Sequence, residues 1–399
     1  VQGFDLVEAA ERGGVDVAEL TRFVELGIVT PDGEGRFSAG DLRRVGLVQS
    51  LREAGIPLDE LGAAVQNGQV SLGFLDAPAF ERFSALWGDT FARQAERTGV
   101  PVELLTFIRE AAGSLATGPD DRLREDELAY VDWLQAAFEA GFRTAAMQQM
   151  LRVHGDAMRR IAETEAAMWQ TEVIGPATER GMRPDEILGA EFGDRMSVLS
   201  ERVVMAMYHL QQTRAWTANI IEGLEMQLAA AGLHSRLAHP PAMGFLDISG
   251  YTRHTEEHGD VAAAQLAEQL GRLVNRTSVS HGGRPVKWLG DGVMIHFSDP
   301  GQGVEAALEM VDDVVRAGLP PARVGLHAGP VIFQEGDYYG QTVNIAARIA
   351  SYARAGEVIV SQAVVDASST ATVAFREIGP VELKGVAGAM VVHAAVRPS

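Results

Sequence analysis

Met243-Gly-Phe-Leu-Asp247-Ile-Ser-Gly-Tyr-Thr252 and Pro285-Val-Lys287-Trp-Leu-Gly290-Asp291-Gly292-Val-Met-Ile-His-Phe-Ser298 are the stretches on which the reading of this chain turns. The first is an apolar run that ends at a carboxylate and passes through a glycine turn into a helix start, the pattern of a buried strand. The second reads as two strands joined at Gly-Asp-Gly, a turn that favours these residues for backbone reasons alone. Singly, each aspartate is an ordinary strand-end or turn residue. Together they are two carboxylates at neighbouring strand ends, a donor set suited to a hard divalent cation that takes its other ligands from phosphate oxygens. A third stretch, Gly336-Asp337-Tyr-Tyr-Gly340-Gln-Thr-Val-Asn344-Ile-Ala-Ala-Arg348-Ile-Ala350, reads as a glycine loop opening a helix. Asn344 and Arg348 stand four apart and share a face of that helix. Their neighbours Val343, Ile345, Ala346, Ala347 and Ile349 are ordinary packing residues.

The rest of the chain narrows the chemistry. At 399 residues it has room for two to four domains, and with 46% hydrophobic and 22% charged residues it is too apolar to be a disordered tail. Zero cysteines exclude disulfides, thiolate metal sites and a cysteine nucleophile, and agree with a reducing, cytoplasmic setting. A formal charge of −20 opposes approach to nucleic acid and anionic lipid, so an anionic substrate must be met by a few placed cations or by metal ions. No run approaches the roughly 18 to 20 apolar residues of a membrane span. Asp5, Glu8 and Glu11 near the amino end are unlike a basic, apolar signal sequence, so the chain is expected to be soluble.

Residues 1 to about 235 carry apolar positions at three and four spacing and read almost wholly as helix, whereas the remainder alternates short β-rich runs with helices. The change falls between Ala229 and the Pro240-Pro241 pair, where the chain must extend. The helical half repeats itself. Glu11-Arg12, Gly14-Val15, Val17, Leu20-Thr21 and Glu25 recur 85 residues later as Glu96-Arg97, Gly99-Val100, Val102, Leu105-Thr106 and Glu110. Leu42, Val45, Gln49, Glu53, Ala54 and Gly55 recur 86 later as Leu128, Val131, Gln135, Glu139, Ala140 and Gly141, which points to duplication.

The first copy, with helices over Leu6 to Glu11, Val17 to Leu26 and Ala39 to Ala54 and a hairpin-like Pro31 to Phe37, resembles the winged helix-turn-helix of MerR-type regulators. Residues 1–68 nevertheless hold twelve acids against six arginines, so a helical scaffold or sensor is expected rather than a DNA-binding module. From Arg143 to Ala231 the segments are long and amphipathic. Val198, Met205, Tyr208, Gln212, Trp216, Ile220 and Leu224 form a stripe read as core or dimer seam, with an apolar ligand pocket as the other reading.

The three strings of the carboxy-terminal part resemble the catalytic domain of class III adenylyl and guanylyl cyclases, over about 155 residues and in family order. The resemblance implies a ferredoxin-like sheet with helices on one side, paired head to tail in a homodimer with active sites at the interface. It implies Asp247 and Asp291 as ligands of two Mg²⁺ or Mn²⁺ ions per site, and Lys287 and Asp337 as the adenine-selecting pair. Asn344 is similar to the ribose-orienting asparagine, Arg348 to the arginine that stabilises the transition state, and Lys384 of Val-Glu-Leu-Lys-Gly to a cation on the terminal phosphates. Trp288-Leu289 departs from the family's commoner small or branched pair. No Gly-Gly-Asp/Glu-Glu-Phe run is present to suggest a diguanylate cyclase.

Residues 96–235 are similar to the regulatory domain of acid-sensitive, autoinhibited bacterial cyclases. The fold expected is therefore α+β. An all-α regulatory half with two winged-helix-like repeats and long helices (a module at 1–70, a regulatory domain at 71–235) precedes a ferredoxin-like cyclase domain at 236–399. The function expected is conversion of ATP to 3′,5′-cyclic AMP and pyrophosphate, regulated by the helical half through a small ligand or a proton acting at acidic helices and at His234 and His239. The alternative is a MerR-like DNA-binding regulator whose cyclase domain senses a nucleotide with little catalysis.

Overall fold

A computed structural model describes residues 3–77, 80, 86–114, 117–188, 191–233, 240–368 and 372–398. His234 and His239 lie outside them. The chain divides into two compact units, Val1–Gly223 and Leu224–Ser399.

The first unit is helical apart from one small ribbon. Helices α1 (Leu6–Gly13), α2 (Val17–Glu25), α3 (Ala39–Glu53) and α4 (Leu58–Gln66) are followed by strand β1 (Leu86–Thr90), α5 (Phe91–Thr98), α6 (Val102–Ala111), strand β2 (Arg122–Arg124), α7 (Leu128–Glu139) and α8 (Thr144–Trp169). Local chemistry starts and stops these helices. Asp5 and Asp16 accept the backbone N–H of Glu8 and Glu19, and Ser38 with Asp41 forms a reciprocal capping box on α3. The duplicated glycines are left-handed caps in both copies: Gly14 (φ 69°) and Gly99 (φ 72°), Gly55 (φ 86°) and Gly141 (φ 80°). Duplicated apolar positions are core in both, with Leu20, Leu105, Val45 and Val131 fully buried. The Phe4–Phe37 bridge of the first copy occupies the place that the β1–β2 ribbon takes in the second. Pro31 to Phe37 is a tight turn in which Asp32 Oδ1 accepts the N–H of Glu34 and Arg36, each at 2.9 Å.

Beyond α8 a π-turn, Gln170–Ile174, leads into α9 (Gly175–Glu179), α10 (Pro184–Leu188) and the 40-residue α11 (Glu191–Ala230). A cavity of about 660 Å³ here is lined by Ala166, Trp169, Ile174, Ile187 and Leu188, among others. The core reading of the α11 stripe needs correction. Val198, Met205, Tyr208, Trp216, Ile220 and Leu224 are 43 to 66% exposed, because α11 mixes apolar and polar residues around its circumference instead of gathering the apolar ones on one buried face. No helix among the described residues is long and apolar enough to cross a membrane.

The second unit is built on one sheet. Its elements are β3 (Ala242–Ile248), α12 (Tyr251–Ser280), β4 (Gly283–Leu289), β5 (Gly292–Phe297), α13 (Pro300–Arg316), β6 (Ala322–Ala328), β7 (Ile332–Gln334), β8 (Asp337–Tyr339), α14 (Gln341–Tyr352), β9 (Val358–Ser361), α15 (Gln362–Ala367), β10 (Ala374–Glu382) and β11 (Ala389–Val396). The strand order is β10-β11-β9-β6-β3-β5-β4, antiparallel except for the β6–β9 pair. Its β6-β3-β5-β4 part, threaded by α12 and α13, is a ferredoxin-like β-α-β-β-α-β unit.

Alternation assigns the two faces. Leu246, Ile248, Val293, Ile295, Phe297, Val324 and Leu326 point toward α12, α13 and α15. Met243, Phe245, Met294 and Tyr338 cluster with Ala346 of α14 on the other face. Helices on one side only is thus overturned. Gly325, whose missing Cβ would sit 2.1 Å from the Ala350 nitrogen, lets α14 lie directly against β6 on the second face.

Candidate active site

Asp247 is the last polar residue of β3 on the α14 face, paired in register with Gly292 of β5 and with Arg323 of β6. The Gly290-Asp291 turn (Gly290 φ 67°) precedes Gly292 directly, so the register brings the turn carrying Asp291 beside the end of β3. The two aspartates singled out from the sequence are therefore neighbours. Arg323 was not anticipated: its Nε donates to Asp247 Oδ2 at 2.8 Å and its Nη2 donates to the same oxygen. Nothing local marks it, since the two residues are 76 apart and meet only through strand pairing.

Lys287 and Asp337, 50 residues apart, form an ion pair. Two local features bring them together. The β4–β5 register shifts between Pro285 and Lys287, a bulge that sets Lys287 opposite Met294 on the α14 face. The β7–β8 hairpin is held by the buried Tyr338, whose ring stacks on His296 at 4.6 Å and whose hydroxyl accepts from Arg284 Nη2 at 2.7 Å. Burial, reinforced by repulsion from Arg284, pushes the His296 imidazole down to about 4, so it is neutral where it stacks. The Lys287 ammonium also lies 5.9 Å from the Tyr339 ring centre. Ile332, Phe333 and Tyr339 of the hairpin, with Trp288 and Leu289, leave an exposed apolar surface around the pair.

Asn344 and Arg348 share the outer face of α14, while Thr342, Ile345, Ala346, Ile349 and Ala350 are buried. Both are exposed, and neither side chain has a hydrogen-bond partner among the described residues. Lys384 is exposed in the β10–β11 connection, directly after Leu383, which is buried with Ile345 and Ile349 of α14. The structure thus sets Asp247 beside the Asp291 turn, joins Lys287 to Asp337 and places Asn344 and Arg348 on one helix face, and among the described residues no hydrogen bond or ion pair links Lys384 to any of them.

The donor set fits a hard divalent ion. No group of three or more His, Asp or Glu that could hold a metal occurs among the described residues, so the chain offers Asp247 and Asp291 and leaves other positions to phosphate oxygens or water. Asp247 already draws a cation, the Arg323 guanidinium.

Residues 238–395 match the adenylate and guanylate cyclase catalytic domain family. An adenylate cyclase of Streptomyces coelicolor is 28% identical over 271 residues, 67% of this chain and 68% of that one. A pH-sensitive adenylate cyclase of Mycobacterium tuberculosis is 26% identical over 363 residues, 86% of each chain. Among solved structures, the adenylyl cyclase CyaB of P. aeruginosa is 23% identical, covering 40% of this chain and 95% of that one, with a TM-score of 0.37.

Proposed function

We propose that this chain, whose residues 238–395 are a cyclase catalytic domain, is a homodimeric adenylyl cyclase that converts ATP to 3′,5′-cyclic AMP and pyrophosphate. The observation that carries the choice of nucleotide is the Lys287–Asp337 pair. Adenine presents a ring-nitrogen acceptor and an exocyclic amino donor. An ammonium donates to the first and a carboxylate accepts from the second, while guanine would invert both demands. The relatives named adenylate cyclases support the same reading.

In this reading Asp247 and Asp291 hold the divalent ions. Two ions per site, when bound, activate the ribose hydroxyl and neutralise phosphate charge. The 3′ oxygen forms its bond to the α-phosphorus as the bond to the bridging oxygen breaks, and the hydroxyl proton leaves to solvent. Asn344 orients the ribose. The Arg348 guanidinium meets charge growing on the α-phosphoryl oxygens, a contact strongest in the transition state, and Lys384 meets the departing pyrophosphate. Because Asn344 and Arg348 face outward, a second copy of the chain completes each site.

Residues 1–70 and 71–235 are assigned a regulatory role and 236–399 catalysis. Acidity is proposed as the signal, in line with the pH-sensitive relative. Purified protein given ATP or GTP with Mg²⁺ or Mn²⁺, assayed for cyclic nucleotide and pyrophosphate, tests the assignment. Product from GTP alone, or from neither nucleotide, overturns it.

A further inference from the structure

We infer that Arg323 is a built-in counter-ion of Asp247 that competes with divalent cations and so sets how tightly the site binds metal. The inference rests on the assignment of Asp247 as a metal ligand and adds a positioning residue that acts through it. Strand pairing of β3 with β6 sets Asp247 opposite Arg323, and both Nε (2.8 Å) and Nη2 donate to one oxygen, Oδ2. Oδ1 takes no hydrogen bond from the described residues and lies on the Gly292 side, 3.7 Å from where a Cβ on Gly292 would stand. The carboxylate therefore presents one oxygen toward the Asp291 turn and has the other occupied.

A guanidinium and a divalent ion cannot both be nearest neighbours of Oδ2 without bringing like charges into contact. Full use of Asp247 by metal thus requires Arg323 to release it. The released group has an anchor, since Nη1 already donates to the Ala353 carbonyl at 3.4 Å, at the carboxyl end of α14 where backbone carbonyls favour a cation. Both side chains are partly open to solvent, 32% for Arg323 and 27% for Asp247, so the guanidinium can leave without a buried charge being stranded.

The test is a titration of the full-length protein with Mn²⁺ alone, without nucleotide, following free Mn²⁺ by its electron paramagnetic resonance signal. Arg323→Met and Arg323→Gln, which remove the charge, are expected to tighten Mn²⁺ binding by about tenfold, the scale of one partly exposed charge-assisted contact. Arg323→Lys keeps the charge and should remain within about threefold of the parent on the same scale. Asp247→Asn should abolish the tight site.

If Arg323 served only to hold the strands together, its variants would melt earlier with Mn²⁺ affinity unchanged. That result overturns the inference, as does weaker binding in the neutral variants; should one of them fail to fold, the other decides. Loss of Mn²⁺ in Asp247→Asn with no gain in the Arg323 variants sinks the counter-ion role alone. Binding unaffected by Asp247→Asn sinks the metal assignment as well.

Discussion

Gly325→Ala is a one-carbon change on the face of β6 that supports α14. The added Cβ would lie 2.1 Å from the Ala350 nitrogen, 2.5 Å from its Cα and 2.7 Å from the Ile349 carbonyl carbon, where ordinary contact begins at 3.4 Å. All three neighbours are backbone, so no side chain can turn aside. Since β6 is paired on both sides, with β3 and β9, α14 must give, by about 1.3 Å, the shortfall between 2.1 and 3.4 Å. Overpacking of this kind costs about 3 kcal/mol at the upper end of its usual range. For a unit of this size that is a fall of roughly 6 to 12 °C in Tm.

Arg348 and Asn344 travel with the helix, and a displacement of about 1 Å in a catalytic group can lower turnover on the order of 100-fold. Lys287 and Asp337 sit on other elements, so KM for ATP should change much less than kcat. Gly244→Ala on the adjacent strand β3 is the control, because its Cβ would meet nothing closer than 3.6 Å. The assays are thermal melting and steady-state cyclic AMP production. If Gly325→Ala melts and turns over like Gly244→Ala, the claim that close β6–α14 contact positions Arg348 is wrong.

Asp247→Ala and Asp291→Ala should each remove cyclase activity with the fold retained, checked by circular dichroism beside the activity assay. Mixed after subunit exchange, Asp291→Ala and Arg348→Ala protomers, each inactive alone, should regain part of the activity; no recovery speaks against sites shared between copies. Lys287→Glu combined with Asp337→Ser should erase the preference for ATP over GTP, each mismatched buried polar group contributing about 1 to 3 kcal/mol; an unchanged preference refutes the base-selecting assignment. His296, held down to about 4, leaves the unfolded chain to bind a proton that the folded one declines between the usual 6.5 and that value. Stability should therefore fall as pH drops through this window, at up to about 1.4 kcal/mol per pH unit, and urea midpoints at pH 7 and pH 5 should show His296→Gln with the shallower loss. Cyclic AMP production by the full chain and by residues 240–399, compared from about pH 5.5 to 8, should give different profiles, and superimposed curves would remove acidity as the signal read by the helical half.

Local chemistry was legible in the linear chain because its causes act over a few residues. The helices expected over Leu6 to Glu11, Val17 to Leu26 and Ala39 to Ala54 end within two residues of those observed, because Asp5, Asp16 and Ser38 cap their starts through near neighbours and Gly14 and Gly55 follow the first and third in left-handed conformation. The Gly290-Asp291 turn, the strand ending at Asp247 and the shared face of Asn344 and Arg348 follow equally from backbone preference and helical period. They carried the cyclase resemblance.

What the chain did not disclose depends on which segments pair and at what register. The bulge at Pro285 to Lys287 and the Tyr338–His296 stack bring Lys287 to Asp337 across 50 residues, and no periodicity records either. Whether the α11 stripe is core or surface could not be read from its composition, since an apolar helix looks the same whether or not another segment covers it. The sequence by itself determined where the first three helices and the Gly290-Asp291 turn fall and which carboxylates sit at strand ends. Tertiary structure alone decided that α14 crosses to the second face over Gly325 and that Arg323 reaches Asp247 from 76 residues away, because hydrogen-bond register between distant strands is a property of the assembled sheet.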